Sequence, residues 1–412
     1  MTDAALLARV MPQMEPVPQG AGFAVSGGSD SLGMLLLLAP ALQARGTRIE
    51  VVTVDHQLRP AAALEARFVG EICARHGWPH RILHWQHDGQ GNLSKAAREG
   101  RYRLMADWAK ARGLEAVLLG HTQDDQAETF LMRLSRGAGV DGLSAMALAR
   151  RDQGITWLRP LLGVSRAELR AVLTGLGQAW CDDPSNEDRN YERVRWRQAM
   201  ADLAALGLTP EVIAQSAARL RRARSTLAGL AADVPVTTLH GSAVIARAAF
   251  APLVEETQER LLSQAIRWVA GQDYPPRGPA LAKAVAVARG RGRFGCHGAL
   301  VIAGREAVVV TRESRAVGHL RSPTDALWDG RWRVDGPHDP ALHIAPLGEH
   351  GLRILAQTLE IAPDLAHLPR AAWAVTPAVW RGTALVAAPA LGLGQGWSAQ
   401  MVKEFATFRE YD

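Results

Sequence analysis

The segment Ser26-Gly-Gly-Ser-Asp-Ser31 carries the residue types that hold phosphate. Glycines 27 and 28 permit a tight turn and let backbone amides approach an anion with no Cβ in the way. Ser26, Ser29 and Ser31 add hydroxyl donors. A strand-like run (GFAVSG, 22–27) leads into the segment and an apolar helical run leaves it, so a helix N-terminus adds its positive dipole end. A Walker A loop requires a Gly-Lys pair, and none occurs in this chain. Amides and hydroxyls must therefore hold the phosphate. Asp30, inside the loop, suits a Mg2+ ligand or a carboxylate facing an electrophile. Taken alone, the hexapeptide could also be an ordinary glycine turn.

A second group is acidic. In GHTQDDQAETF (120–130), Asp124 and Glu128 are four apart and share a helix face, Asp125 is adjacent, and His121 sits at a strand end. Carboxylates so placed can bind Mg2+, or hold a cationic amine and accept its proton. They also complement a helix dipole, which is the simpler reading. Asp55 and His56 end another strand at the same sheet edge. The third group is basic. Lys95, Arg98 and Arg101 recur at helical spacing beside Tyr102, and Arg193, Arg195 and Arg197 follow a turn at Pro184. Such groups neutralise a triphosphate or grip an RNA backbone, unless they are merely solvated helix faces. GRGRFG (290–295) matches G-x-G-x-x-G, but it follows a helix and precedes a strand, the reverse of a dinucleotide site, so it reads as a basic loop.

The elements that must position these groups alternate. GFAVSG, RIEVVTVDH (48–56), HRILHW (80–85), AVLLGHT (116–122) and ITWLRPL (155–161) read as strands. Helical patterns lie between them at 30–44, 61–76, 94–112, 123–136 and 166–176, the last opening on a Ser165/Glu168 capping box. Apolar strands separated by helices predict an α/β fold, a doubly wound parallel sheet with ligands at its C-terminal edge. From Tyr191 to Gly229 the chain reads as basic helix, 250–290 as two further helices, and 293–313 as a hairpin turning at Ala303–Gly304. Short strand-like pieces rich in Pro, Gly and Trp follow. The expected organisation is a catalytic domain over 1–205, a small helical, basic domain over 206–315 and a β-rich C-terminal region over 316–412.

Composition narrows the function classes. Hydrophobic residues make up 48% of the 412, which excludes wholesale disorder. The longest apolar run, Leu32–Leu42, contains Pro40 and falls far short of the roughly 20 residues that cross a bilayer. The N-terminal stretch does not read as a signal peptide. Cys73, Cys181 and Cys296 are widely spaced, which excludes a disulfide scaffold, a zinc ribbon and a C-x-x-C redox pair, and fits reduced thiols in a cytoplasmic protein. The net charge is +6, and its excess is local. Residues 189–224 hold eight Arg against Glu192, Asp202 and Glu211, and residues 277–315 hold seven Arg plus Lys283 against Glu306 and Glu313. Two such stretches suit a polyanion.

Together the segments SGGSDS (26–31), VDHQLRP (54–60), NLSKAAREGRYRL (92–104), LLGHTQDDQAETFLMRLSRGAGVDGLSAM (118–146), LRPLLGVSRAELR (158–170) and DDPSNEDRNYERVRWR (182–197) resemble the tRNA(Ile)-lysidine synthetase family of PP-loop ATP pyrophosphatases. The resemblance implies an adenine nucleotide alpha hydrolase-like fold and a C–N ligase that converts ATP to AMP and diphosphate. It implies adenylation of the 2-oxygen of the wobble cytidine, then displacement of AMP by lysine to give lysidine. The partners implied are free L-lysine and tRNA(Ile) with a CAU anticodon, with a homodimer as a candidate assembly and no membrane. ATP would lie on Ser26 to Ser31, with Mg2+ on Asp30. Catalysis would fall to Asp30, His121, Asp124, Asp125 and Glu128, lysine would be held by Asp55, Asp124 and Glu128, and phosphate or tRNA by Arg98, Arg101, Arg193, Arg195 and Arg197. The chain departs from the family pattern at Thr122, where a second His is frequent, and at Val194, where an Asn is common. Its rivals are a tRNA 2-thiolation enzyme, disfavoured by the missing C-x-x-C, a non-catalytic RNA-binding protein, and a small-molecule ATP-dependent ligase.

Overall fold

Runs that are apolar on both faces become the strands of a buried parallel sheet. The computed structural model describes residues 3–57, 60–86, 93–182, 192–272, 274–356, 368–394 and 396–405. The chain runs α1 (Asp3–Val10), β1 (Gly20–Ala24), α2 (Ser29–Gln43), β2 (Arg48–Asp55), α3 (Pro60–His76), β3 (His80–His84), α4 (Leu93–Ala111), β4 (Ala116–Leu119) and α5 (Gln123–Leu134). It continues through α6 (Val140–Leu143), β5 (Ala149–Asp152), β6 (Ile155–Leu158), α7 (Arg166–Gly175), α8 (Glu192–Ala205) and α9 (Pro210–Ala232). The sheet order is β3-β2-β1-β4-β6-β5, parallel except for β5. Successive strand residues face opposite layers. Phe23, Val51 and Leu118 pack with α2, α3 and α7, whereas Val52, Val117 and Leu119 pack with Tyr102, Met105 and Trp108 of α4. The doubly wound sheet expected from the sequence is therefore present. β5 is an addition: Ala-Arg-Arg-Asp has no apolar run, and it pairs on one side only, as an edge strand does.

The strand order reverses between β1 and β4. β1 leads outward to β2 and β3, and the chain then returns to the other side of β1. In open α/β sheets the crevice beyond such a reversal binds the ligand. Here the loops leaving β1 and β4 are the glycine-serine loop and the His121–Thr122 segment.

Two compact units divide between Ser225 and Thr226, within α9 and beyond the boundary expected near 205. The packing explains the shift. Ile213 of α9 shares a core with Ala127 and Leu131 of α5, and Arg221 donates to the carbonyls of Ser144 and Met146. In the second unit, β7 (Thr237–Leu239) and β8 (Ser242–Ala246) precede α10 (Arg247–Phe250), α11 (Glu255–Ala270) and α12 (Gly278–Arg289). β9 (Gly292–Cys296), β10 (Ala299–Ala303) and β11 (Ala307–Arg312) complete an antiparallel sheet of order β7-β8-β11-β10-β9. The two expected helices, α11 and α12, pack on it, and the expected hairpin is β10–β11 with β9 added. Beyond it lie a four-stranded sheet and a two-stranded ribbon, both antiparallel. No break falls near 315: Arg312 pairs bidentately with buried Asp329, and Val309 packs on Leu368 and Ala372. Among the described residues no helix is long and apolar enough to cross a membrane.

One contact places α7. A Cβ on Gly33 of α2 would stand 3.1 Å from the Cβ of Leu169 of α7, so the missing side chain lets the two helices close together. Gly33→Val should overpack this contact and destabilise the first unit by roughly 1–3 kcal/mol. A lowered urea midpoint of its unfolding transition checks this, and an unchanged midpoint would contradict it.

Candidate active site

The glycine-serine loop is shaped by its own backbone and hydroxyls. Gly27 adopts φ +90°, a conformation that L side chains rarely take, and its carbonyl accepts from the Cys181 amide at 2.9 Å. Ser31 Oγ accepts from the Ser26 amide at 3.1 Å and donates to the Gly28 carbonyl at 3.2 Å, which ties the turn to the first turn of α2. Behind it Gly120 must lack a side chain, because a Cβ there would lie 2.8 Å from Ser31 Cα. The end of β4 thus buttresses the loop directly.

Beside the loop α5 begins with a capping box. Thr122, fully buried, accepts from the Asp125 amide, and Asp125 Oδ2 accepts in return from the Thr122 amide at 2.8 Å and its hydroxyl at 3.0 Å. Thr122, the departure from the family pattern, is therefore the helix cap. Asp125 Oδ1 is left facing two guanidiniums, Arg193 at 3.7 Å and Arg166 at 3.8 Å. Burial pushes the Asp125 carboxyl up, but Arg193, the Thr122 amide and Arg166 outweigh it and hold it below the ordinary range.

α7 supplies what the sequence reading missed. Arg166 Nε donates to Asp30 Oδ2 at 2.9 Å, and its amide donates to Asp124 Oδ2 at 2.8 Å. Burial lowers the Arg166 pKa, yet Asp30 and Asp125 raise it above its ordinary value. One turn on, Arg170 Nε reaches Ser29 Oγ at 3.4 Å. A signal was there to be read: Arg166 is the first residue of its helix, where the dipole disfavours a cation, so an anion had to be waiting.

α8 packs on α5 through Phe130, Leu131, Trp196 and Met200, which aims Arg193 and Arg197 at Glu128. Both approach that carboxylate at 2.8 Å, and Glu128 is almost wholly buried beneath them. Arg195, between them in sequence, is on the exposed side of the helix, and Val194 is buried. The Pro184 turn and the side chain of Lys95 lie outside the described residues.

These groups surround a cleft of about 960 Å³. Of the expected residues, Ser26, Gly28, Ser29, Asp30, Ser31, Arg101, His121, Asp125, Arg193 and Arg197 line it. Gly27, Asp55, Arg98, Asp124, Glu128 and Arg195 do not. Asp55 accepts from the Gln57 amide at 2.8 Å and faces His84, so it and Glu128, both expected to hold lysine, are already committed. Arg98 and Arg101 stack on the Tyr102 ring at 5.2 and 5.5 Å, and Tyr102 meets Trp157 edge to face. Orphaned polar atoms gather here. His56 Nδ1, Arg101 Nε and His121 Nδ1, on residues that line the cleft, are buried without a hydrogen-bond partner. A buried unpaired donor is costly, so such a concentration marks a surface built for a polar, anionic ligand. His121 stays neutral: burial, helped by Arg159, Arg101 and Arg193 against Asp125, lowers its pKa to about 3.

Residues 7–204 match a family model described as a PP-loop domain. A curated tRNA(Ile)-lysidine synthase from Ruegeria pomeroyi is 41% identical over 390 residues, 93% of this chain and 91% of that protein. The chain belongs to the tRNA(Ile)-lysidine synthase family. The lysidine synthase of Brucella anthropi is 35% identical over 378 residues, 87% of this chain and 82% of that protein. Among solved structures, a U34-tRNA thiolase from Methanococcus maripaludis aligns over 53% of this chain and 78% of that chain at 16% identity and a TM-score of 0.47, a likeness that carries no argument about the reaction. The glycine-serine loop lies within the matched residues and lines the cleft.

The buried imidazole gives a pH test. Between the ordinary His pKa of 6.5 and about 3, the unfolded chain binds a proton at His121 that the folded chain does not. The stability due to neutral His121 is present above 6.5 and is lost as pH falls. His121→Gln should flatten the loss of stability between neutral and acid pH. Urea midpoints of both proteins across that range check this, and equal slopes would contradict it.

Proposed function

We propose that this chain ligates lysine to C2 of the wobble cytidine of tRNA(Ile) bearing a CAU anticodon, consuming ATP. The observation that carries the reading is one cleft in which a lysine-free phosphate loop faces acidic residues and an excess of guanidiniums. In the first step the cytidine 2-oxygen attacks the α-phosphorus of ATP, and the bond to the β-phosphate oxygen breaks. The loop amides and hydroxyls, with the end of α2, hold the departing diphosphate. In the second step the lysine amine attacks C2, the bond to the AMP oxygen breaks, and the amine loses a proton.

This chain's residues divide that work by charge. Arg101, Arg193 and the α7 arginines offset the phosphates, and Asp125, the acidic-helix carboxylate that lines the cleft, attracts the lysine ammonium. His121, neutral with an unpartnered Nδ1, accepts the proton. Burial is the chief cause of its lowered pKa and the guanidiniums add to it; an anionic nucleotide beside it would offset the guanidiniums. Mg2+ fits Asp30: the carboxylate faces the cleft, receives one donor at each oxygen and keeps lone pairs free, and the ion asks the protein for only one or two carboxylates. When bound, it would screen the phosphate charge. The basic second unit, with exposed Lys283, Arg291 and Arg293, suits the tRNA backbone.

The test is direct. With ATP, radiolabelled lysine and unmodified CAU tRNA, digestion to nucleosides should leave the label on cytidine, and Asp30→Ala should abolish pyrophosphate release while tRNA still binds. Sulfur incorporation, AMP release without RNA, or unchanged turnover by Asp30→Ala would contradict the reading.

A further inference from the structure

Three elements far apart in sequence meet at one side chain. Arg166, at the start of α7, reaches Asp30 in the phosphate loop through Nε and approaches Asp125 of the acidic helix through Nη2, while its amide holds Asp124. Its side chain is only 18% exposed and lines the cleft. The close approach of α2 and α7 at Gly33 fixes where the guanidinium can lie, and Arg170 adds a second contact to Ser29 one turn along. No other described residue is seen to pair with carboxylates of both motifs. The lining of the cleft thus depends on this link for the spacing between the loop that holds diphosphate and the helix that meets the nucleophile.

We propose that Arg166 is a positioning residue for the reaction: by bridging Asp30 to Asp125 it sets the distance between phosphate loop and acidic helix, and so aligns ATP with the nucleobase. The proposal rests on the lysine-ligation reading above and deepens it. The bridge needs a guanidinium. Its planar fork presents donors in two directions at once, whereas a lysine ammonium keeps the charge but is a single point. Removing the bridge frees Asp30, while Asp125 stays held by the Thr122 amide and hydroxyl, so the bound triphosphate loses its register with the cytidine while the carboxylate that meets lysine and the groups that bind tRNA remain.

The experiment compares full-length wild type, Arg166→Lys and Arg166→Met in tRNA-dependent pyrophosphate release, with kcat, the KM for ATP and for lysine, tRNA affinity and urea midpoints measured for each. Arg166→Lys should fold, bind CAU tRNA as the wild type does and keep its lysine KM, yet lose kcat by roughly a hundredfold, the scale of a misplacement near 1 Å. Arg166→Met should lose at least as much. Near-wild-type kcat in Arg166→Lys, or a loss confined to the lysine KM, would overturn the proposal. So would a lowered urea midpoint with kcat preserved, which would reduce Arg166 to a structural pin. A wild-type chain that makes no lysidine in the same assay would overturn the underlying reading, and this inference with it. A wild type that makes lysidine beside an unaffected Arg166→Lys would overturn this inference alone.

Discussion

Glu128 lies under Arg193 and Arg197, Asp125 faces Arg193 and Arg166, and Asp30 pairs with Arg166. Two like charges about 4 Å apart repel by about 4 kcal/mol at an effective dielectric near 20. A domain's whole net stability is only about 5–15 kcal/mol. Carboxylates crowded at a sheet edge, beside a site for a polyphosphate, are tolerable only if guanidiniums cancel them. The cations come from α7 and α8, neither of which is a neighbour in sequence of the residues it neutralises. The charge balance of the cleft is therefore a product of the completed fold.

Backbone contact does the rest of the positioning. The strand order reverses at β1 and β4, so the loops leaving those strands open onto the same crevice. Gly120 brings the end of β4 against Ser31, and Gly33 brings α7 against α2. Each removes a side chain where two elements must touch, and each contact serves the phosphate loop. The hydrogen bonds of Ser31 then fix that loop from within.

The sheet was legible because its signals are local and repeated. Apolar runs at 22–27, 48–56 and 116–122 announce the buried strands β1, β2 and β4, and Ser165 with Glu168 announces the start of α7. The glycine-serine loop was legible as part of the cleft lining because its residues are consecutive. β5 was not, since an edge strand of Ala-Arg-Arg-Asp carries no apolar period. Arg166 was read past because its partners lie 136 residues away at Asp30 and in the first turn of α5 at Asp124 and Asp125, a closeness that only the tertiary fold creates. Glu128 shows the opposite limit. Its spacing from Asp124 correctly implies a shared helix face, but spacing is silent on what covers that face, and two arginines of α8 do.

A cleft that offers loop hydroxyls and a helix start, keeps His121 neutral and cancels its own carboxylates fits the proposed activation of a base before an amine arrives. The most direct measurement omits the amine. Purified chain, α-labelled ATP and unmodified CAU tRNA are incubated without lysine, and the RNA is digested and resolved by mass spectrometry. Adenylate attached to the wobble cytidine, with diphosphate released in equal amount, is the result this account predicts. Diphosphate release with no adenylate on the RNA, or none until lysine is added, would contradict it.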